Sequence, residues 1–129
     1  MDLIEGVEEF VKKLYEVGYQ LAVAPGGHTK ESMEEMLKTF NLLKYFPVIV
    51  SSDEVVRGKP KPDVFLFAAE KLGRKPLEWL VLEDSVNGVL AGKAAGMRVV
   101  AYRTPFNEQH DLSPADSVIT DLLALTSQL

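Results

Sequence analysis

The chain has 129 residues, 47% of them apolar and 26% charged, with a net charge of −5 at neutral pH and no cysteine. Such a size and balance suit one ordinary globular core, and the missing cysteines exclude disulfides and thiolate metal sites. No stretch approaches the about 18 consecutive apolar residues of a membrane span, and an acidic chain without a basic stripe is a poor match for nucleic acid.

The opening residues, Met1 to Gly6, have neither the basic start nor the apolar run of a signal peptide. A cytoplasmic address is the expectation. Val7, Phe10, Val11 and Leu14 fall at helical spacing, and Gly18 supplies a C-terminal stop. Leu21 to Ala24 reads as a short buried strand, broken by Pro25-Gly26-Gly27. Thr29 is placed to cap a second helix carrying Met33, Met36, Leu37 and Phe40, and Val48 to Val50 is the next strand.

Pro62 suits the first turn of a third helix, which runs through Phe65, Leu66, Ala68 and Ala69 to Gly73. Leu80-Val81-Leu82 is a strand with no polar face, as expected when both sides are covered. Ser85 caps a fourth helix with Val89, Leu90 and Ala94 inward and Gly96 at its end. Val99 to Tyr102 and Val118-Ile119 are further strands, and Asp121 caps a final helix toward Leu129. Strands alternating with helices of this length predict an α/β fold of Rossmann-like type, a parallel sheet with helices on both faces. In such folds ligands bind beyond the C-terminal ends of the strands.

Two motifs occupy that rim. Gly58-Lys59-Pro60-Lys61-Pro62-Asp63 lies in the loop after one strand, and Glu83-Asp84-Ser85-Val86-Asn87-Gly88 directly follows another. Adjacent carboxylates after an apolar strand call for a compensating cation, and a hard divalent ion such as Mg2+ satisfies them with oxygen ligands. The plainer alternative makes Asp84 or Ser85 a helix cap and turns Glu83 to solvent. Lys59, held between Gly58 and Pro60, offers a fixed ammonium that neutralises a phosphate or eases the crowding of carboxylates. Arg57 and Lys61 read as solvated, His28 and His110 as surface residues, and Trp79 as core packing.

The stretch from Gly58 to Gly96 resembles the haloacid dehalogenase-like superfamily, most of all its phosphoglycolate phosphatase and β-phosphoglucomutase branch. Gly58 to Asp63 is similar to that family's third motif, whose lysine steadies nucleophile and phosphate. Glu83-Asp84-Ser85, with Gly88 and Ala94-Ala95-Gly96-Met97, is similar to the fourth, whose acids hold Mg2+. The resemblance therefore implies Lys59 as a catalytic and phosphate-binding residue and Glu83 and Asp84 as metal ligands. Gly18 to Ala24 and Phe46 to Asp53 fit as flanks, so the resemblance extends along essentially the whole chain.

The departures are equally specific. Where the family's second motif places Ser or Thr, this chain has Pro25-Gly26-Gly27. Gly26 and Gly27 keep backbone donors for phosphate; that Thr29 or His28 reaches in as a substitute side chain is the lesser alternative. The chain contains no Asp-x-Asp pair, so the family's first motif, an aspartate nucleophile on a central strand, is absent, as is a cap domain. The expectation is a single core domain over residues 1–129, of phosphatase or phosphomutase lineage, acting on a small phosphorylated metabolite but inactive as an isolated chain. Asp53 ends a strand near the rim without anything to equip it as a nucleophile, and Asp63 reads as first-turn helix chemistry. The alternative is a non-catalytic domain that binds Mg2+ or phosphate or works through protein interaction. Loss of the central strand leaves edges to be repaired by direct pairing, by self-association, or by a complementing strand from a partner.

Overall fold

The computed structural model describes residues 6–24 and 29–126. Helix α1 (Val7–Val17) is closed by Gly18, whose φ of 106° lets its N–H return to the carbonyls of Leu14 and Tyr15. Strand β1 (Ala22–Val23) follows, then α2 (Lys30–Thr39), capped by the Thr29 hydroxyl accepting from the Ser32 N–H at 3.0 Å. Strand β2 (Val48–Ile49) leads through the Lys59 loop to α3 (Asp63–Leu72), which starts one residue after Pro62. Strand β3 (Leu80–Glu83), α4 (Val86–Ala94), β4 (Arg98–Tyr102), β5 (Ser117–Ile119) and α5 (Leu122–Thr126) complete the order. Three short 3-10 turns, at residues 43–45, 52–54 and 76–78, join these elements and have no counterpart in the sequence expectation.

All strand pairing is parallel, as the alternation of elements predicts. It falls into two sheets, β1-β2 and β3-β4-β5, rather than one. Register pairs Val23 with Ile49, Glu83 with Ala101, and Tyr102 with Ile119. Among the described residues, β1 and β3 each carry one edge without a strand partner, so the repair by direct pairing of these two strands does not occur.

Packing nevertheless joins the sheets on both faces. On one face Val48 and Val50 share a core with Val81, Val99 and Ala101 beneath α3 and α4. On the other, α1 straddles the division. Its Phe10 packs with Val100, Ile119 and α5, while Val11 packs with Ile49 and the α2 residues Met33 and Leu37. Strand β3 is covered twice, Val81 on the first face and Leu80 and Leu82 on the second. Each fully buried Val, Leu or Phe contributes roughly 1.5–3 kcal/mol, and this packing, not a backbone ladder, joins the two sheets.

Helix α4 corrects one expectation. Val89 is buried as predicted, but Leu90 is 39% exposed and Ala94 is also outward. The inward face is instead made of Gly88, Ala91, Gly92 and Ala95. The helix lies too close to the sheet for larger side chains: a Cβ on Gly92 would stand 2.6 Å from Val99 Cγ2. No described helix is long and apolar enough to cross a membrane.

Candidate functional site

Parallel strands bring the carboxyl ends of β1, β3 and β4 to one rim, where the Lys59 loop arrives from β2. The Lys59–Pro60 peptide is cis. Lys59 Nζ donates to the Ala24 carbonyl at 3.0 Å and to Glu83 Oε1 at 2.6 Å. Ala24 directly follows β1 and Glu83 ends β3, so one ammonium clasps the two sheets at their shared rim. The Lys59 and Glu83 side chains are only 15% and 13% exposed, which strengthens their attraction and raises the cost of separating them. The Phe65 ring lies 5.0 Å from the ammonium and favours the cation further. An ammonium has three donors, and two are committed here.

The second oxygen of Glu83 is held as well. Oε2 accepts from the Ser85 hydroxyl at 3.1 Å, and Ser85 Oγ accepts from the Gly88 N–H at 2.9 Å, capping α4. This places the carboxylate against the first turn of α4, where the helix end favours negative charge. Room for it exists only because residue 88 has no side chain: a Cβ there would sit 2.0 Å from Oε2. Gly88 is thus the cradle of Glu83.

Asp84 differs from its neighbour. It is exposed, and its carboxylate has no hydrogen bond or ion pair among the described residues, although its backbone carbonyl accepts from Asn107 Nδ2 at 2.7 Å. The two carboxylates of the motif therefore have separate environments, one clamped by Lys59 and one open to solvent. Among the described residues no three His, Cys, Asp or Glu side chains converge as a metal-holding group.

Gly26 and Gly27, expected to donate backbone N–H groups to phosphate, lie outside the described residues, as do Pro25 and His28. The Thr29 hydroxyl oxygen is engaged as the cap of α2. Arg57 pairs with Asp63 at 3.2 Å on the exposed side of the loop, leaving Lys61 solvated as expected. Asp53 is exposed and accepts from the Ser51 hydroxyl, which gives it no contact with Lys59. His110 is exposed, and Trp79 packs against the core beneath α3 and α4. The spacing of the motifs foretold that Lys59 and Glu83 share a rim. It did not reveal the Ala24 carbonyl, the Phe65 ring or the buried Asn107, whose only sequence signal is an Asn in a Thr-Pro-Phe-Asn turn.

Residues 1–102 match the model of the haloacid dehalogenase-like hydrolases, and the chain belongs to that family. It is 54% identical over 78 residues to a bifunctional riboflavin kinase/FMN phosphatase of Arabidopsis thaliana, covering 60% of this chain and 21% of that protein. It is 36% identical over 128 residues to hexitol phosphatase B of Escherichia coli K12, covering 98% of this chain and 57% of the relative. Among solved structures, CbbY of Rhodobacter sphaeroides in complex with phosphate superimposes with a TM-score of 0.85 at 27% identity, over 94% of this chain and 55% of that one. The chain thus spans little more than half the length of the full-length relatives it matches, and a fifth of the bifunctional one.

Proposed function

We propose that this chain carries the lysine- and metal-bearing half of a phosphate monoester hydrolase site, completed by a strand from elsewhere. The observation that supports this reading is the clasp of Lys59 on Glu83 and Ala24 beside the open carboxylate of Asp84. Phosphoryl transfer depends on positioned positive charge around the phosphoryl oxygens. Lys59 has one uncommitted donor to give such an oxygen. Glu83 holds the ammonium at the rim and keeps its rotamer fixed.

The donor set fits Mg2+, which takes one or two protein carboxylates and fills its shell with water and phosphate oxygens. Asp84 is the carboxylate available to hold it, with Glu83 next in sequence and bound to Lys59. When bound there, the ion would supply Lewis-acid charge neutralisation at the phosphate. Gly26 and Gly27 are assigned the remaining phosphate contacts through their N–H groups.

A covalent aspartyl-phosphate route needs a carboxylate nucleophile. Among the described residues only Glu83 reaches Lys59, and its two oxygens are already engaged. The unpartnered edges of β1 and β3, joined at the rim by Lys59, support insertion of a strand that brings this group. A partner or a second copy of the chain could supply that strand in this reading. Small phosphate esters are the substrate class, with hexitol phosphates and FMN first in any panel because relatives are named for them.

Hydrolysis of p-nitrophenyl phosphate with Mg2+, by the chain and by its Asp84→Asn variant, tests this. The expected result is no turnover by either. Turnover by the chain that Asp84→Asn abolishes would place the nucleophile within these residues and overturn the need for an added strand. Folded protein that binds Mg2+ and phosphate, yet stays inactive once supplied with the missing segment, would favour the non-catalytic alternative.

A further inference from the structure

Beyond β4 the chain forms a loop that is exposed yet unusually well tied. Asn107 is a buried polar residue within it, only 5% exposed. Its Nδ2 donates to the Asp84 carbonyl at 2.7 Å and to the Tyr102 carbonyl at 2.9 Å, while Oδ1 accepts from the Thr104 N–H at 2.8 Å. The β3–β4 ladder ends at the pair Glu83 and Ala101. Asp84 and Tyr102 are the first residues past it, so the Asn107 amide acts as one further rung built from a side chain.

The rung is itself anchored. Arg103 donates to the carbonyls of Asn107 at 2.7 Å and His110 at 2.9 Å, and the Phe106 N–H reaches Thr104 Oγ1 at 3.2 Å. Ser85, which follows Asp84, is fixed by its cap to Gly88. The Asp84–Ser85 peptide is therefore held at its carbonyl while the Asp84 carboxylate stays open. A solvent-facing side chain gains nothing for the fold from such fixation, whereas a ligand must be held in place to bind tightly.

We propose that Asn107 is a positioning residue for Asp84, setting the cation affinity of that carboxylate without touching cation or substrate. This rests on the reading of Asp84 as a metal ligand. A purely structural Asn107 would lower stability when removed and leave cation binding unchanged.

Mn2+ titration of the isotope-labelled chain, read by paramagnetic broadening of backbone amides, separates the two. Broadening centred on Ser85 is expected, and Asn107→Ala should raise its midpoint about tenfold at a temperature where the variant is folded. A wild-type midpoint in folded Asn107→Ala overturns the proposal. If Asp84→Asn leaves the broadening intact, or none is seen, it is the reading of Asp84 as a ligand that fails. Asn107 is then judged by the carbonyl-carbon resonance of Asp84, which must shift in Asn107→Ala. Should that variant not fold, the wild-type chain still decides. The Asn107 side-chain amide protons must exchange more slowly than those of exposed Asn41 and Asn87, and free exchange refutes the rung.

Discussion

Replacing Gly88 by alanine probes the cradle of Glu83, because the structure gives both the sign and the size of the effect. The added Cβ would stand 2.0 Å from Oε2 and 2.1 Å from Cδ, and the three nearest atoms all belong to Glu83. Oε2 must move off the Ser85 hydroxyl, at the cost of that hydrogen bond. Hydrogen bonds to charged groups contribute about 1.5–3 kcal/mol net, and alanine returns up to about 1 kcal/mol of helix propensity over glycine. A net loss of about 1–2 kcal/mol follows, or roughly 4–8 °C in melting temperature for a chain of this size. In a Glu83→Ala background the three nearest colliding atoms are gone, so the same substitution should lose its cost and return up to about 1 kcal/mol of helix propensity. Thermal and urea melts of the wild type, both single variants and the double variant give the coupling. Equal effects of Gly88→Ala in the two backgrounds, or a Gly88→Ala chain as stable as wild type, would refute the account of Glu83.

Three further outcomes are expected. Lys59→Met strands the Glu83 carboxylate and the Ala24 carbonyl, and should cost about 3 kcal/mol, the low end for a nearly buried pair, by urea denaturation; a loss below about 1 kcal/mol, as for a surface pair, would contradict the clasp. Gly92→Ala drives a Cβ to 2.6 Å from Val99 Cγ2 and 3.4 Å from both Val81 methyls, so thermal melting should show overpacking of about 1–3 kcal/mol; an unchanged melting temperature would mean α4 has slack against the sheet. Asp116 accepts from Lys93 Nζ at 2.8 Å and from the Val99 N–H at 2.7 Å, which hold its carboxyl below the ordinary 3.8. A lowered folded pKa gives stability that is present above the unfolded value and lost as pH falls through the folded one. Asp116→Asn should therefore be less stable than wild type at pH 7, with the gap closing below about pH 4; a gap independent of pH would remove Asp116 from the balance.

The helix caps and the two rim motifs were legible in the sequence because they rest on local chemistry. Ser85, Thr29 and Gly18 act within a few residues of themselves, and Lys59 and Glu83 were placed by counting one helix and one strand between them. What escaped depended on distances between elements. The inward face of α4 looked like Val89, Leu90 and Ala94; Val89 is buried there, but beside it the close helix-to-sheet contact places Gly88, Ala91, Gly92 and Ala95 rather than Leu90 and Ala94. Glu83 and Asp84 looked like an equivalent pair, yet Lys59 claims one and leaves the other open. Asn107 stayed hidden because its partners, Asp84 just past β3 and Tyr102 at the end of β4, belong to two different segments of the chain.

The central claim is that Lys59 and Asp84 hold a phosphate with a divalent cation even without the completing strand. Titrating the nitrogen-15-labelled chain with inorganic phosphate in the presence of Mg2+ tests it most directly. The account predicts amide shifts centred on Lys59 and Ser85, lost in Asp84→Asn and in any Lys59→Met chain that remains folded. Absence of such shifts, or shifts that survive both substitutions, would contradict it.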